Sequence, residues 1–375
     1  MRKNSNIEAF FVLLRAGLWE EDSPLSQYGD IDLYDIYRQA EEQSVIGLVT
    51  AGLDHVKDVK VPQEVLLSFI GTCLQLEQQN KAMNEFVARM IEKLRKEGVY
   101  ALLLKGQEVA YCYEKPLWRS CGDVDLFLSD ENYERAKEVL MPIATSVEEE
   151  YKREKHLGMT IDGWVVELHG NLHCALSSKV IRGLNEIQKD TFYSGNVRSW
   201  LNGKTQIFLL SVENDIVYVF THFLNHFYKE GVGLRQICDW CRLMWTYREK
   251  INRKELELRI IQMGLLSEWK AFYMLAIKYL GMPDVVQGSG LTVQGKKWER
   301  KADRIMEFIL MSGNMGHNRD MSHFNDKPFF VRKSISAGRR MKDVINHARI
   351  FPLDSLKFSC HIMISGVESA IKGEG

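Results

Sequence analysis

Apolar residues recur at a spacing of three to four over residues 6–18 and 30–54, and again without interruption over 62–97, which is the period of an amphipathic helix. Pro62 opens the third stretch, and Lys96-Glu97-Gly98 gives it a basic, glycine-terminated end, so it reads as one long helix. From about 99 to 175 the pattern changes. Short β-type runs alternate with helical spacing in the order strand (101–104), helix (107–115), strand (122–128) and helix (130–141), then a further strand and a hairpin. That order implies a small mixed sheet with helices on one face. From about 205 the helical period returns. Ser211 caps a run ending at 229, and a second run covers 234–250 after Gly231-Val232-Gly233. Further helices are expected at 252–263, 265–281, 297–311, 333–348 and 354–371, with a polar loop at 312–330. The fold class is therefore α+β, a small mixed β-sheet core (99–204) between an N-terminal helical region (1–98) and a C-terminal helical domain (205–375).

The densest chemistry lies at 101–128, ALLLKGQEVAYCYEKPLWRSCGDVDLFL. On a strand, residues two apart share a face, so Asp123 and Asp125 project together. Side-by-side carboxylates repel unless a cation lies between them, and hard divalent ions prefer oxygen ligands. Gly122 leaves room for a ligand to approach. Upstream, a strand ending in Lys105-Gly106 leads into a helix, an arrangement that offers backbone N–H groups to an anion. Lys105 adds a point charge, and Arg119 and Ser120 stand just before the Asp pair. Asp162-Gly163 joins two β-type runs, HLGMTI and WVVELH, as a hairpin turn.

Lys-Gly, then Arg, then Gly-Asp-Val-Asp-Leu, then Glu-Leu-His in this order resembles the nucleotidyltransferase superfamily related to DNA polymerase beta. It is closer still to the bacterial group of uncharacterised nucleotidyltransferases. The resemblance covers roughly residues 30–250 and is densest at 101–128 and 164–169. It implies a third carboxylate, Glu167, facing Asp123 and Asp125 from a neighbouring strand, with His169 on its face. It implies Mg²⁺ or Mn²⁺ held by these three catalytic residues, and a nucleoside triphosphate, ATP foremost, bound through Lys105, Gly106, Arg119, Ser120 and Gly122. An acceptor hydroxyl would attack the α-phosphorus and pyrophosphate would leave. Two departures stand out: Gln107 replaces the usual serine after the glycine, and the stretch from Gly106 to Asp123 is long for the pattern. The alternative for the Asp pair is that both are strand-end carboxylates paired with Lys105 and Arg119.

Other candidates carry less. His222 and His226 share one helix face, without the glutamate or third ligand of a metalloprotease motif; helix packing is the simpler reading. In the resembling family such a helix is followed by an Arg and an Asp, here Arg235 and Asp239. Cys238-Asp239-Trp240-Cys241 has metal or redox spacing but no second pair, so buried core cysteines fit better. Segment 331–349 has six Lys/Arg and one acid and reads first as a solvated helix face.

Composition changes this picture in two ways. A net charge of −1 gives no overall attraction to nucleic acid, so a small molecule or a protein hydroxyl is the expected acceptor. The seven cysteines are scattered and odd in number, which fits a reducing compartment. With no apolar leader in MRKNSNIEAF and no bilayer-length apolar run, a cytoplasmic location is expected. Two other functions share these residues: a non-catalytic nucleotide-binding scaffold, and an RNA-modifying toxin of the same fold.

Overall fold

The sheet is built from seven strands, and its central pair carries the motif. In the computed structural model, which describes residues 2–172, 174–314 and 341–371, β1 (Ala101–Leu104) and β2 (Asp123–Leu128) lie side by side antiparallel. The other strands are β3 (Ser146–Val147), β4 (His156–Ile161), β5 (Trp164–His169), β6 (Val197–Asn202) and β7 (Thr205–Leu210). Their spatial order is β3-β4-β5-β2-β1-β7-β6. Two junctions are parallel, β2 with β5 and β1 with β7, and the rest are antiparallel. The architecture is α+β, with one mixed sheet and helical N- and C-terminal regions.

Helices cover both faces of the sheet, not one as the element order implies. Alternate strand residues Leu103, Val124, Leu126, Val166 and Leu209 pack against α4 (Gln63–Lys96) and α6 (Asp130–Leu140). The opposite residues Leu102, Leu104 and Phe127 join the larger core. That core holds α1 (Arg2–Trp19), α2 (Leu33–Glu42), α3 (Ile46–Leu53), α7 (Ser178–Phe192), α8 (Val212–Lys229) and α9 (Leu234–Thr246). It continues through α10 (Arg253–Met263), α11 (Leu266–Leu280), α12 (Lys296–Ser312) and α13 (Pro352–Ile371). Period-two alternation makes each strand face a separate apolar surface, and here both are buried.

Three elements differ from expectation, each for a tertiary reason. The single helix expected at 30–54 is two, α2 and α3. The break falls at Ser44, whose φ is +56°. There the Gln43 amide accepts from Leu234 N–H at 3.1 Å and donates to Ile309 C=O at 3.4 Å, binding the break to distant helices. The helix expected at 107–115 is a short α5 (Gly106–Ala110). Pro116 disfavours helical geometry at Lys115, which has φ −114° and ψ 76°, and Cys112 C=O accepts from the Arg242 guanidinium at 2.6 Å. The β6–β7 hairpin lies beyond the 99–175 strand block, and its second strand runs on to Leu210 beside β1. Gly203, with φ +61°, takes the first loop position, where a two-residue Gly-X turn requires it.

Of the expected loop at 312–330 only 312–314 is described, with Ser312 ending α12; the first part of the expected helix 333–348 falls outside the described residues, and 341–350 is helical. The basic segment is described only from residue 341 on. Cys238 and Cys241 are buried free thiols in α9, and Cys360 is exposed.

Candidate active site

Strand register assembles the site. Asp123 and Asp125 lie on the β2 face opposite Val124 and Leu126, which are buried in the smaller core. β5 runs parallel beside β2, with Asp125 opposite Glu167 and Phe127 opposite His169. β4 pairs antiparallel with β5 and sets His156 opposite His169. On the other flank Leu104 of β1 pairs with Asp125, and the next residue is Lys105. One sheet face thus presents Asp123, Asp125, Glu167, His169 and His156 with a lysine at its border.

The Asp123, Asp125 and Glu167 carboxylates each offer an oxygen within 4.8 Å of the others. Lys105 Nζ lies 3.1 Å from Asp125 Oδ2 and 3.0 Å from His222 Nε2. His169 Nε2 lies 2.8 Å from Asp125 Oδ1 and 3.5 Å from Glu167 Oε2. His156 Nε2 lies 3.2 Å from Glu167 Oε2. Asp125 is 1% exposed, so both its oxygens are engaged away from bulk water.

A tight turn brings Lys105 back over the carboxylates. Lys105 and Gly106 have successive positive φ values of 51° and 52°. A Cβ at Gly106 would meet only the Asp123 carbonyl oxygen, at 3.6 Å; it is the left-handed backbone, not lack of room, that favours glycine there. Behind the turn, Glu108 of α5 and Asp215 of α8 both pair with Arg198 of β6. Burial and the neighbouring Glu108 push the Asp215 carboxyl well above its ordinary range. This buried knot ties α5, β6 and α8 together next to the carboxylates.

The electrostatics follow from crowding. Repulsion by Asp125, then burial, raises the Asp123 carboxyl above its usual value. Hydrogen bonds from His156 and His169 hold Glu167 well below its own. Burial opposes the charged forms of Lys105 and His169, yet contact with Asp125 leaves both raised. Burial and the nearby lysine push His222 far down and His226 down to about 4, so both are neutral imidazoles at neutral pH.

A narrow cleft of about 60 Å³ opens beside the carboxylates, lined by Lys105, Gly106, Arg119, Asp123, His222, Arg235 and Asp239 among others. A Cβ at Gly122 would meet nothing within 4 Å. Arg235 Nη1 donates to Ser120 C=O at 2.7 Å, and its buried Nε has no hydrogen-bond partner among the described residues. Arg119, which also lines this cleft, pairs with a carboxylate other than the Asp pair. Its guanidinium forks onto Asp239 at 2.8 and 2.7 Å, and Tyr113 Oη donates to the same carboxylate at 2.7 Å.

His156 is the member of the cluster that sequence reasoning passed over. The signal was countable. A two-residue turn at Asp162-Gly163 pairs Ile161 with Trp164, and stepping outward reaches His156 opposite His169.

A family model described as uncharacterised nucleotidyltransferase matches residues 29–281, a span that contains every strand and the whole cleft lining. The chain belongs to this family, and nucleotidyl transfer with a nucleotide substrate is the chemistry the family implies. No curated protein and no solved structure gives a match. No helix among the described residues is long and apolar enough to cross a membrane.

Proposed function

We propose that this chain is a metal-dependent nucleotidyltransferase that moves an NMP from a nucleoside triphosphate, ATP foremost, to an acceptor hydroxyl on a small molecule or protein. The observation that carries the reading is the convergence of Asp123, Asp125 and Glu167 on one face of a parallel strand pair. The donor set suits Mg²⁺ or Mn²⁺: three carboxylates share one spot, and their mutual repulsion is already visible in the raised Asp123. Asp123, Asp125 and Glu167 would hold the ion. When bound, it would polarise the phosphoryl group and lower the pKa of the attacking hydroxyl.

The protein's own groups do the rest. Lys105 lines the cleft with its ammonium 3.1 Å from Asp125 Oδ2, placed to meet an incoming phosphate oxygen. Arg235 lines the same cleft and brings a second positive charge to that wall. Gly122 leaves the approach to the Asp pair open. Arg119, paired with Asp239, braces the loop that carries Ser120 and Gly122 and, lining the cleft, would offset phosphate charge. The neutral His222 and His226 fill the helical wall.

The test is incubation of the protein with each α-labelled nucleoside triphosphate, Mg²⁺ or Mn²⁺, and a cell extract supplying acceptors. Label should pass to an acceptor with the native chain and not with Asp125→Asn. Absence of transfer with every nucleotide, or equal transfer by the variant, would remove the reading.

A further inference from the structure

The nitrogen side of the cluster has chemistry that an all-carboxylate site does not. His156, Glu167 and His169 each offer a ligand atom, and these atoms lie within 4.8 Å of one another. The separations from Glu167 Oε2 are 3.2 Å to His156 Nε2 and 3.5 Å to His169 Nε2. Ligand atoms of a tetrahedral ion with bonds of ~2.0–2.1 Å sit roughly 3.3 Å apart, so these spacings already match a coordination edge. The rings are not stacked: their centroids are 4.8 Å apart and their planes are inclined by 40°, and both Nε2 atoms reach Glu167.

Backbone pairing fixes the arrangement. His156 and His169 are register partners on β4 and β5, and Glu167 stands two residues before His169 on its own strand. No loop has to close for the three donors to meet. The side chains of His156 and Glu167 keep 26% and 30% of their exposure, so an ion can enter from solvent and an open coordination position can face it.

We infer that His156, Glu167 and His169 form a site for a borderline-soft divalent transition metal such as Zn²⁺, sharing Glu167 with the neighbouring oxygen-only set. Imidazole nitrogen raises affinity for ions late in the Irving–Williams order, whereas Mg²⁺ keeps to oxygen ligands. The sheet face therefore carries two adjoining preferences, hard toward Asp123 and softer toward His156. In the ion's absence, each imidazole must carry a proton on Nε2 to donate to the carboxylates. On binding, each ring keeps one proton on Nδ1, any second proton passes to solvent, and Nε2 becomes a neutral nitrogen ligand. The site goes beyond the reaction proposed above and does not depend on it: a chain that binds Zn²⁺ here and transfers no nucleotide would keep the site and refute the reaction.

Calorimetric titration of the chelator-stripped full chain with Zn²⁺ and, separately, Mg²⁺ tests this. Zinc-edge X-ray absorption of the loaded protein should show imidazole ligation. His156→Ala and His169→Ala should each weaken Zn²⁺ binding by at least about tenfold, since losing a ligand exceeds the effect of losing its outer support. Asp123→Asn, which removes a donor of the oxygen-only set, should weaken Zn²⁺ binding less than either histidine change. An all-oxygen or sulfur shell in the native chain overturns the inference even if a variant fails to fold. So does Zn²⁺ binding that is indifferent to both histidines, or that falls with Asp123→Asn as much as with His156→Ala.

Discussion

Asp125 on β2 and Glu167 on β5 are register partners across a parallel strand junction, and this pairing decides which side of the sheet can do chemistry. A slip of one residue in β5 would turn Glu167 to the opposite face, among Val124, Leu126 and the α4 side chains, and would turn Val166 and Leu168 out of it. The apolar residues flanking each acid prevent that slip, because it would expose them. The register that buries Val124, Leu126, Val166 and Leu168 is the one that brings the carboxylates together.

Asp125→Asn tests the partnership. Both Asp125 oxygens are engaged, by Lys105 at 3.1 Å and His169 at 2.8 Å. We predict that nucleotide transfer falls by at least about a hundredfold, the scale of removing one charge-stabilising group from an active site. Folding should persist with a loss of about 1–3 kcal/mol, because Lys105 keeps Asp123 and Glu167 nearby. Label transfer and circular-dichroism melts measure the two effects; full transfer activity in a folded variant would exclude the site.

Lys105→Ala separates phosphate recognition from base recognition. We predict at least about a tenfold loss of ATP affinity, as expected for a charge-assisted contact, with adenosine binding changed by less than about twofold. Calorimetry with both ligands decides. Equal losses would show that Lys105 serves only to neutralise Asp125.

Local pattern made part of this legible. Period-two alternation placed Asp123 and Asp125 on one face, and the Asp162-Gly163 turn, with φ values of +51° and +81°, set the hairpin that holds Glu167. What local pattern does not carry is which strands become neighbours. The β2–β5 junction joins segments separated by a helix and two strands, and β7 reaches β1 from beyond the expected core boundary. The same limit hid the fate of Arg119. Its partner, Asp239, is 120 residues away, and an arginine three residues before a Gly-Asp pair looks the same in sequence whether it faces a phosphate or a buried acid. Ser44 is similar: the helix breaks there because Gln43 finds Leu234 and Ile309.

The Arg119–Asp239 fork gives a prediction about stability. Both groups are buried, 8% and 5% exposed, and Asp239 is held below its usual range: burial opposes its charge, and Arg119 outweighs that. Asp239→Leu alone should destabilise the fold by about 3–5 kcal/mol, because it strands a buried guanidinium. Asp239→Leu with Arg119→Met should recover most of that loss, since the pair is then replaced by apolar volume. Urea unfolding of the two variants measures it. Equal destabilisation by the single and double changes would show that the two residues do not depend on each other.

Glu268 provides a pH dependence remote from the candidate site. It is fully buried in α11. Its Oε1 accepts from Tyr228 Oη at 3.3 Å, and Oε2 has no partner among the described residues. Burial, with Asp354 adding to it, pushes its carboxyl from 4.5 up to about 8. The folded chain therefore keeps a proton that the unfolded chain has released between these values. Stability from this group is complete below about pH 4.5 and is lost as pH rises toward about 8. Glu268→Gln keeps the neutral shape and removes the titration. We predict that the variant unfolds at higher urea than the native chain at pH 9, by an amount on the order of a few kcal/mol, and that the difference shrinks toward pH 5. Urea midpoints across that range test the sign. Parallel pH profiles for the two proteins would mean that Glu268 is ionised in the fold, with Lys301 of α12 as its counter-charge.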